Sequence, residues 1–206
     1  MADELIDIYD SEMNLLGVAP KSQAHKEGLW HKLALCWIIS EDGNLWLQKR
    51  SPEKQTCPNL FDCSGSGHVL VGEAPKEAVR RILEDKLGLS VKEKFLDKLF
   101  TYKLVNDTPT ANTHAFCPTY LLKTQQKLHD LKLNPDEVSG IYEADIQDLL
   151  DLFFDEVKKI NVRGIVLGKK CYKIEKRTLS KDDFCPHGDK YFQKVFSAIQ
   201  RFIDNQ

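Results

Sequence analysis

Lys32 to Ser40 (KLALCWIIS) is an almost unbroken apolar run, answered after Glu41-Asp42-Gly43-Asn44 by the alternating stretch Leu45 to Lys49. A run with no polar side has no face to offer water, so it reads as a strand covered on both faces. Asp-Gly adopts positive φ at low cost, which makes the four residues between the two stretches a turn. A strand of this kind demands apolar layers on both sides of its sheet.

The rest of the chain supplies those layers. Pro75 suits the first turn of a helix in which Ala78, Ile82 and Leu83 recur at helical spacing, and Gly88 is placed to end it in the left-handed conformation. Asp145 to Lys159 reads as an amphipathic helix with Ile146, Leu149, Leu150, Phe153 and Val157 on one side. Asp189 to Phe202 is a second, with Phe192, Val195, Phe196 and Ile199 periodic; the aromatic series Phe153, Phe154, Tyr191, Phe192, Phe196 and Phe202 reads as core packing. Leu5 to Tyr9 and Leu15 to Val18 form a hairpin around Asn14, while Phe95 to Val105 and His114 to Lys123 are strands separated by the polar loop Asn106 to Thr113. Ser51 to Leu60 is a loop, and the glycines after Phe61 suit a backbone that bends or approaches something closely. The expected architecture is one α/β (α+β) domain over residues 1–206, a mixed sheet between helices, with residues 1–30 as a hairpin extension and 145–206 as C-terminal helices.

Composition narrows the function. Hydrophobic residues make up 42% and charged residues 29%, enough for a core. A formal net charge of -2 argues against nucleic acid or an anionic membrane as the main partner. No apolar run approaches the roughly 18 residues needed to span a bilayer, and Met1 to Asp10 lacks the features of a secretory signal. Six scattered cysteines without a C-x-x-C pair fit reduced thiols. A cytoplasmic protein is expected.

Gly67-His68-Val69-Leu70-Val71-Gly72-Glu73 runs through the helix to Arg81-Ile82-Leu83-Glu84-Asp85-Lys86-Leu87-Gly88-Leu89. This resembles the Nudix box, with Gly67, Glu73, Arg81, Leu83, Gly88 and Leu89 matching six of nine fixed positions. Ile82 replaces the first glutamate of the helix, Asp85 stands for the second and Lys86 replaces the third. Upstream, Arg50, Lys54, Pro58, Asp62 and Gly67-His68 look like the isopentenyl-diphosphate-isomerase branch, as do Ala24 to His31 and Phe184-Cys185-Pro186.

The resemblance implies a Nudix fold and a small-molecule diphosphate partner, with Mg²⁺ or Mn²⁺ held by helix carboxylates because hard cations prefer oxygen ligands. Asp85 is the best remaining ligand, Glu84 lies beside it out of register, and Glu73 supports the head of the helix. Arg50, Lys54, Arg81 and Lys86 are the candidate diphosphate contacts, Arg81 more as a brace and Lys86 also able to take a metal's place electrostatically. His25, His31 and His68 match histidines that hold a second metal in the isomerases; Thr113 and Ala115 stand where two glutamates complete that site. A site of histidines alone prefers zinc or nickel, and the plain alternative is three polar histidines hydrogen-bonded in a cleft. Ser66 stands where the isomerases carry a catalytic cysteine, and strand alternation turns Cys63 away. Three readings follow: a diphosphate hydrolase, a non-catalytic binder of a phosphorylated ligand or partner protein, and, least supported, an isomerase. A homodimer is compatible with each.

Overall fold

The computed structural model describes residues 3–107, 112–168 and 171–205. Its strands are β1 (Leu5–Tyr9), β2 (Leu15–Pro20), β3 (His31–Ser40), β4 (Leu45–Arg50), β5 (Phe61–Cys63), β6 (Gly65–His68), β7 (Leu96–Asp107), β8 (Asn112–Thr124), β9 (Val138–Ala144), β10 (Ile160–Leu167) and β11 (Tyr172–Leu179). The helices are α1 (Lys21–Glu27), α2 (Pro75–Leu87), α3 (Ile146–Phe153) and α4 (Asp189–Asp204). β1 and β2 pair as the N-terminal hairpin, and the main sheet runs β11-β10-β9-β4-β3-β8-β7 with β5 on β4 and β6 on β3. The β3–β8 ladder is parallel and the other pairs are antiparallel, so the sheet is mixed.

The apolar run of β3 is covered on both sides. Leu35, Trp37 and Ile39 pack with Leu149, Phe153, Phe192, Val195, Phe196 and Ile199 from α3 and α4. Ala34, Cys36 and Ile38 pack with Ala78, Val79, Ile82, Leu83 and Leu87 from α2. Strand alternation thus sends one set of side chains to each layer.

Beyond Ile38 and Ile39, β3 no longer pairs with β4, and β5 and β6 fill the fork between them. The buried Ser64 hydroxyl holds the fork closed, donating to the Trp46 carbonyl and accepting from the Ile38 amide at 2.8 Å. A Cβ on Gly65 would lie 2.7 Å from Leu83 Cδ2, and one on Gly67 would lie 2.9 Å from Ile82 Cδ1, so only glycine lets α2 sit this close.

The C-terminal part departs from the helical expectation. α3 stops at Phe153, with Asp155 at φ 66°, and β10 and β11 then extend the sheet before α4. Phe154 is accordingly exposed rather than core, and Val157 is 37% exposed; Phe153 keeps its core role, stacking on Phe192 at 4.3 Å between ring centroids. β10 and β11 escape the periodicity reading because β11 is a charged edge strand (Tyr172–Leu179, YKIEKRTL) with little apolar alternation. Of the expected loop Asn106 to Thr113, residues 108–111 lie outside the described residues, and its ends belong to the long β7–β8 pair. Among the described residues no helix is long and apolar enough to cross a membrane. All six cysteines are free thiols.

Candidate functional site

Three elements bring the histidines together. The short helix α1 carries His25 and ends at Gly28, whose φ of 66° turns the chain into β3. His31 opens β3, and His68 closes β6, which runs beside it. One ring nitrogen from each lies within 4.8 Å of the others, and among the described residues this is the only such group of three or more His, Cys, Asp or Glu ligand atoms. His25 Nε2 and His68 Nε2 are 2.9 Å apart, and Thr113 Oγ1 lies 3.3 Å from His25 Nδ1. His31 Nδ1 lies 2.8 Å from the Leu29 carbonyl, which can only accept, so Nδ1 carries the proton and Nε2 presents a lone pair. That Nε2 is buried and has no hydrogen-bond partner. Burial pushes the His31 imidazolium down to about 4, and burial likewise lowers His25 and His68, so all three rings are neutral at neutral pH.

Neutral imidazoles are ligands, and a ring fixed by a second-nitrogen bond to a carbonyl is the usual arrangement around a metal. Metal–nitrogen bonds of about 2.1 Å in tetrahedral geometry put ligand atoms about 3.4 Å apart, and the triad spans that range. The triad therefore fits a divalent cation of borderline softness. His114 takes no part: it bonds Asp107 at 2.9 Å and lies over Trp30. Ala115 sits opposite His31 in the β3–β8 register, so the second glutamate position presents only a methyl group to the triad.

The box helix is built differently. Arg81 donates from Nε and Nη2 to the two Glu73 oxygens, each at 2.8 Å, and from Nη2 to the His68 carbonyl at 2.9 Å. Glu73 also accepts the Leu70 amide at 3.0 Å, so this pair braces the loop that carries His68. Ile82, 2% exposed, belongs to the core beneath Gly67. Glu84 and Asp85 are exposed, and no third ligand gathers around them among the described residues. Lys86 Nζ lies 2.9 Å from Glu137 Oε2, and Lys54 Nζ lies 2.6 Å from Glu137 Oε1. Burial raises the Glu137 carboxyl, but the Lys86 charge and the bonds from Lys54 and Lys86 outweigh it and hold it at about 2. The residues at the box therefore do not fit a carboxylate-held Mg²⁺.

Between these two parts runs a buried polar chain. Gln48 Nε2 donates to Ser66 Oγ at 3.3 Å, and Ser66 donates to Asp62 Oδ2 at 3.2 Å. His187 Nε2 donates to Asp62 Oδ1 at 2.9 Å, and Arg50 Nη1 stands 3.8 Å from Oδ2. Burial works against the Asp62 charge, yet His187 and Arg50 hold it at about 2. Arg50 also donates from Nη2 and Nε to the Thr56 carbonyl at 2.9 and 3.2 Å, which fixes the loop bearing Lys54. Cys63 donates to the Gly65 carbonyl at 3.3 Å, and burial drives its thiol well up, so it is no proton donor to a cleft.

Sequence reasoning missed Glu137 and His187, and gave Asp62 a place in the family pattern but no role. His187 directly follows the Phe184-Cys185-Pro186 element, where the Cys185 amide bonds the Phe61 carbonyl at 2.8 Å and carries His187 to Asp62. Glu137 had no local signal, because its partner Lys86 lies 51 positions earlier.

A NUDIX domain profile matches residues 29–161. An uncharacterized Nudix hydrolase of Clostridium acetobutylicum is 31% identical over 204 residues, covering 97% of this chain and 98% of that one. An isopentenyl-diphosphate Delta-isomerase of Paenarthrobacter aurescens is 29% identical over 140 residues, 67% of this chain and 74% of its own. In fold, a crystal structure from Deinococcus radiodurans matches with TM-score 0.55 at 24% identity, over 71% of this chain and 86% of that one. A MutT protein from Methanosarcina mazei matches with TM-score 0.55 at 15% identity, over 84% and 95%.

Proposed function

The chain belongs to the Nudix family, and from that premise we propose that it is a metal-dependent hydrolase of a diphosphate metabolite whose cation is held by His25, His31 and His68. The observation that carries this reading is the buried, unpartnered lone pair of His31 Nε2, facing two further neutral imidazoles. When bound there, a divalent cation would polarise a phosphoryl oxygen and lower the pKa of a water. Arg50 offers a guanidinium and Lys54 and Lys86 offer ammonium groups, suited to the oxygens of a diphosphate. Arg81 and Glu73, bonded to each other, keep the His68 loop in place. The triad's nitrogen donors favour zinc or nickel over magnesium or manganese.

Hydrolysis is favoured over isomerisation because Ser66 is a poor proton carrier in place of a thiol. Its hydroxyl is already engaged by Gln48 and Asp62. A second reading, a binding protein without turnover, draws on the Lys86–Glu137 pair standing where the box would hold metal.

The test is phosphate release from a panel of nucleoside and isoprenoid diphosphates with Zn²⁺, Mn²⁺ or Mg²⁺, beside a His31→Ala variant and metal titrations of both. Turnover with Zn²⁺, abolished in His31→Ala together with at least about a hundredfold of metal affinity, is the expected result. Metal bound equally by both chains would sink the triad assignment. No turnover, with thermal stabilisation by a diphosphate, would favour the binding protein.

A further inference from the structure

We propose that Lys54 and Lys86 form a metal-independent phosphate subsite in which the Glu137 carboxylate is the resident stand-in for a phosphoryl group. The inference rests on the reading of the ligand as a diphosphate and adds how one of its phosphates is held. Glu137 gives one oxygen to each ammonium, at 2.6 and 2.9 Å. Two oxygens of one phosphoryl group present the same fork with more charge. Lys54 and Lys86 thus converge on one carboxylate, while Arg50 stands against Asp62 at 3.8 Å. Among the described residues, the carboxylates paired with Arg50, Lys54 and Lys86 are Glu137 and Asp62, the latter itself shared with His187. The cluster is left cationic, and an arriving phosphate would complete it.

Exchange asks little of the fold. The Glu137 amide bonds the Asn134 carbonyl at 3.0 Å, and its carbonyl accepts the Ser51 amide at 3.0 Å. The Asn134 amide in turn bonds the Lys86 carbonyl at 2.9 Å. The backbone is thus fixed to both cation-bearing segments while the side chain, 27% exposed, can rotate outward. Lys86, with its side chain 11% exposed, stays in place as a tethered charge where the family box would hold an exchangeable ion. Binding through it cannot be stripped by a chelator.

Calorimetry with inorganic pyrophosphate in EDTA tests the subsite on the whole chain. The parent should bind, with the same affinity before and after EDTA. Glu137→Gln should bind about tenfold more tightly, because the competing carboxylate no longer reduces the competent fraction. Lys86→Met should lose at least about tenfold, the scale of one phosphate-bound ammonium. Pyrophosphate binding that requires Mg²⁺, or a Glu137→Gln chain that binds no more tightly, overturns the proposal. If Glu137→Gln fails to fold, Lys54→Met decides: it keeps the Lys86–Glu137 pair, and unchanged affinity in it is equally fatal. The chelated measurement does not involve the histidine triad, so its failure leaves the hydrolase reading standing. An inactive chain that still binds pyrophosphate leaves the subsite standing.

Discussion

The start of β3 and the C-terminal half of α2 are both places where proteins of this family can hold a metal, and here they differ in every physical respect. At the histidine triad, burial keeps the rings neutral, a carbonyl fixes the tautomer of His31, and a lone pair is left unused. On α2, Ile82 is packed into the core, Asp85 and Glu84 face solvent, and Lys86 is already paired. A cation gains from the first arrangement because its ligands are desolvated in advance and need shed no proton. It gains little from the second, where two hydrated carboxylates stand beside a buried ammonium. The comparison separates fold membership from chemistry: the box glycine, arginine and first glutamate survive as architecture, while the positions that would bind the ion do not.

The strongest blow to that contrast would be to rebuild the box. Ile82→Glu places a carboxylate at 2% exposure beneath Gly67 and beside Leu83. Removing the side chain from the core and burying an unpaired charge should cost about 3–5 kcal/mol. Chemical denaturation measures this, and calorimetry with Mg²⁺ on the same chain should find no new site. A variant as stable as its parent would mean that the C-terminal half of α2 can shift outward, and the two regions would then be less different than they look.

A smaller effect, and one specific to the triad, is set by pH. His31 has a folded value of about 4 against an ordinary 6.5, so between those values the unfolded chain binds a proton that the folded chain refuses. Stability therefore rises with pH across this window and is lost as pH falls through it. At about 1.4 kcal/mol per pH unit this amounts to about 3 kcal/mol for His31 alone. His25 and His68, also lowered, act in the same direction. His187 acts in the opposite one, since Asp62 overcomes burial and raises it. Unfolding curves from pH 7 to 4 should show the fall in the parent and a flatter profile in His31→Gln. Asp62 and Glu137, both held at about 2 against ordinary values of 3.8 and 4.5, should add their own loss from about pH 5 downward. A parent profile already flat from pH 7 to 4 would mean that the triad is solvated and not preset for metal.

What the sequence revealed follows the same division. β3, the Asp42-Gly43 turn, α2 and its Gly88 cap are local patterns, and residue spacing alone exposes them. Arg81 as a brace came from the family resemblance, and Glu73 was placed only as a support at the head of α2; their bond to each other has no local signal, because Glu73 lies in the loop before the helix. His25, His31 and His68 could be grouped only through the family resemblance, since α1 and the β3–β6 register that converge them leave no periodic trace. Glu137 and His187 were invisible for a stricter reason: each owes its role to a partner far along the chain, Lys86 in one case and Asp62 in the other. Patterning also overran at α3, where Val157 keeps helical spacing although the helix has ended at Phe153.

The smallest expected effect is the most discriminating for α2. Asp85 best matches the remaining box carboxylates, so a metal site rebuilt around it would make Asp85→Ala as damaging as loss of a histidine. In the structure its side chain is exposed, and its visible influence is to support the charge of Arg81, after the larger contribution of Glu73. An exposed charge at that remove is worth at most about 0.5 kcal/mol in stability. Zn²⁺ affinity, read by calorimetry, should be unchanged within about twofold, because a solvated carboxylate outside the triad contributes only screened attraction. A tenfold loss of metal affinity in Asp85→Ala, with the triad intact, would return the ion to α2 and oblige Lys86 to move aside for it.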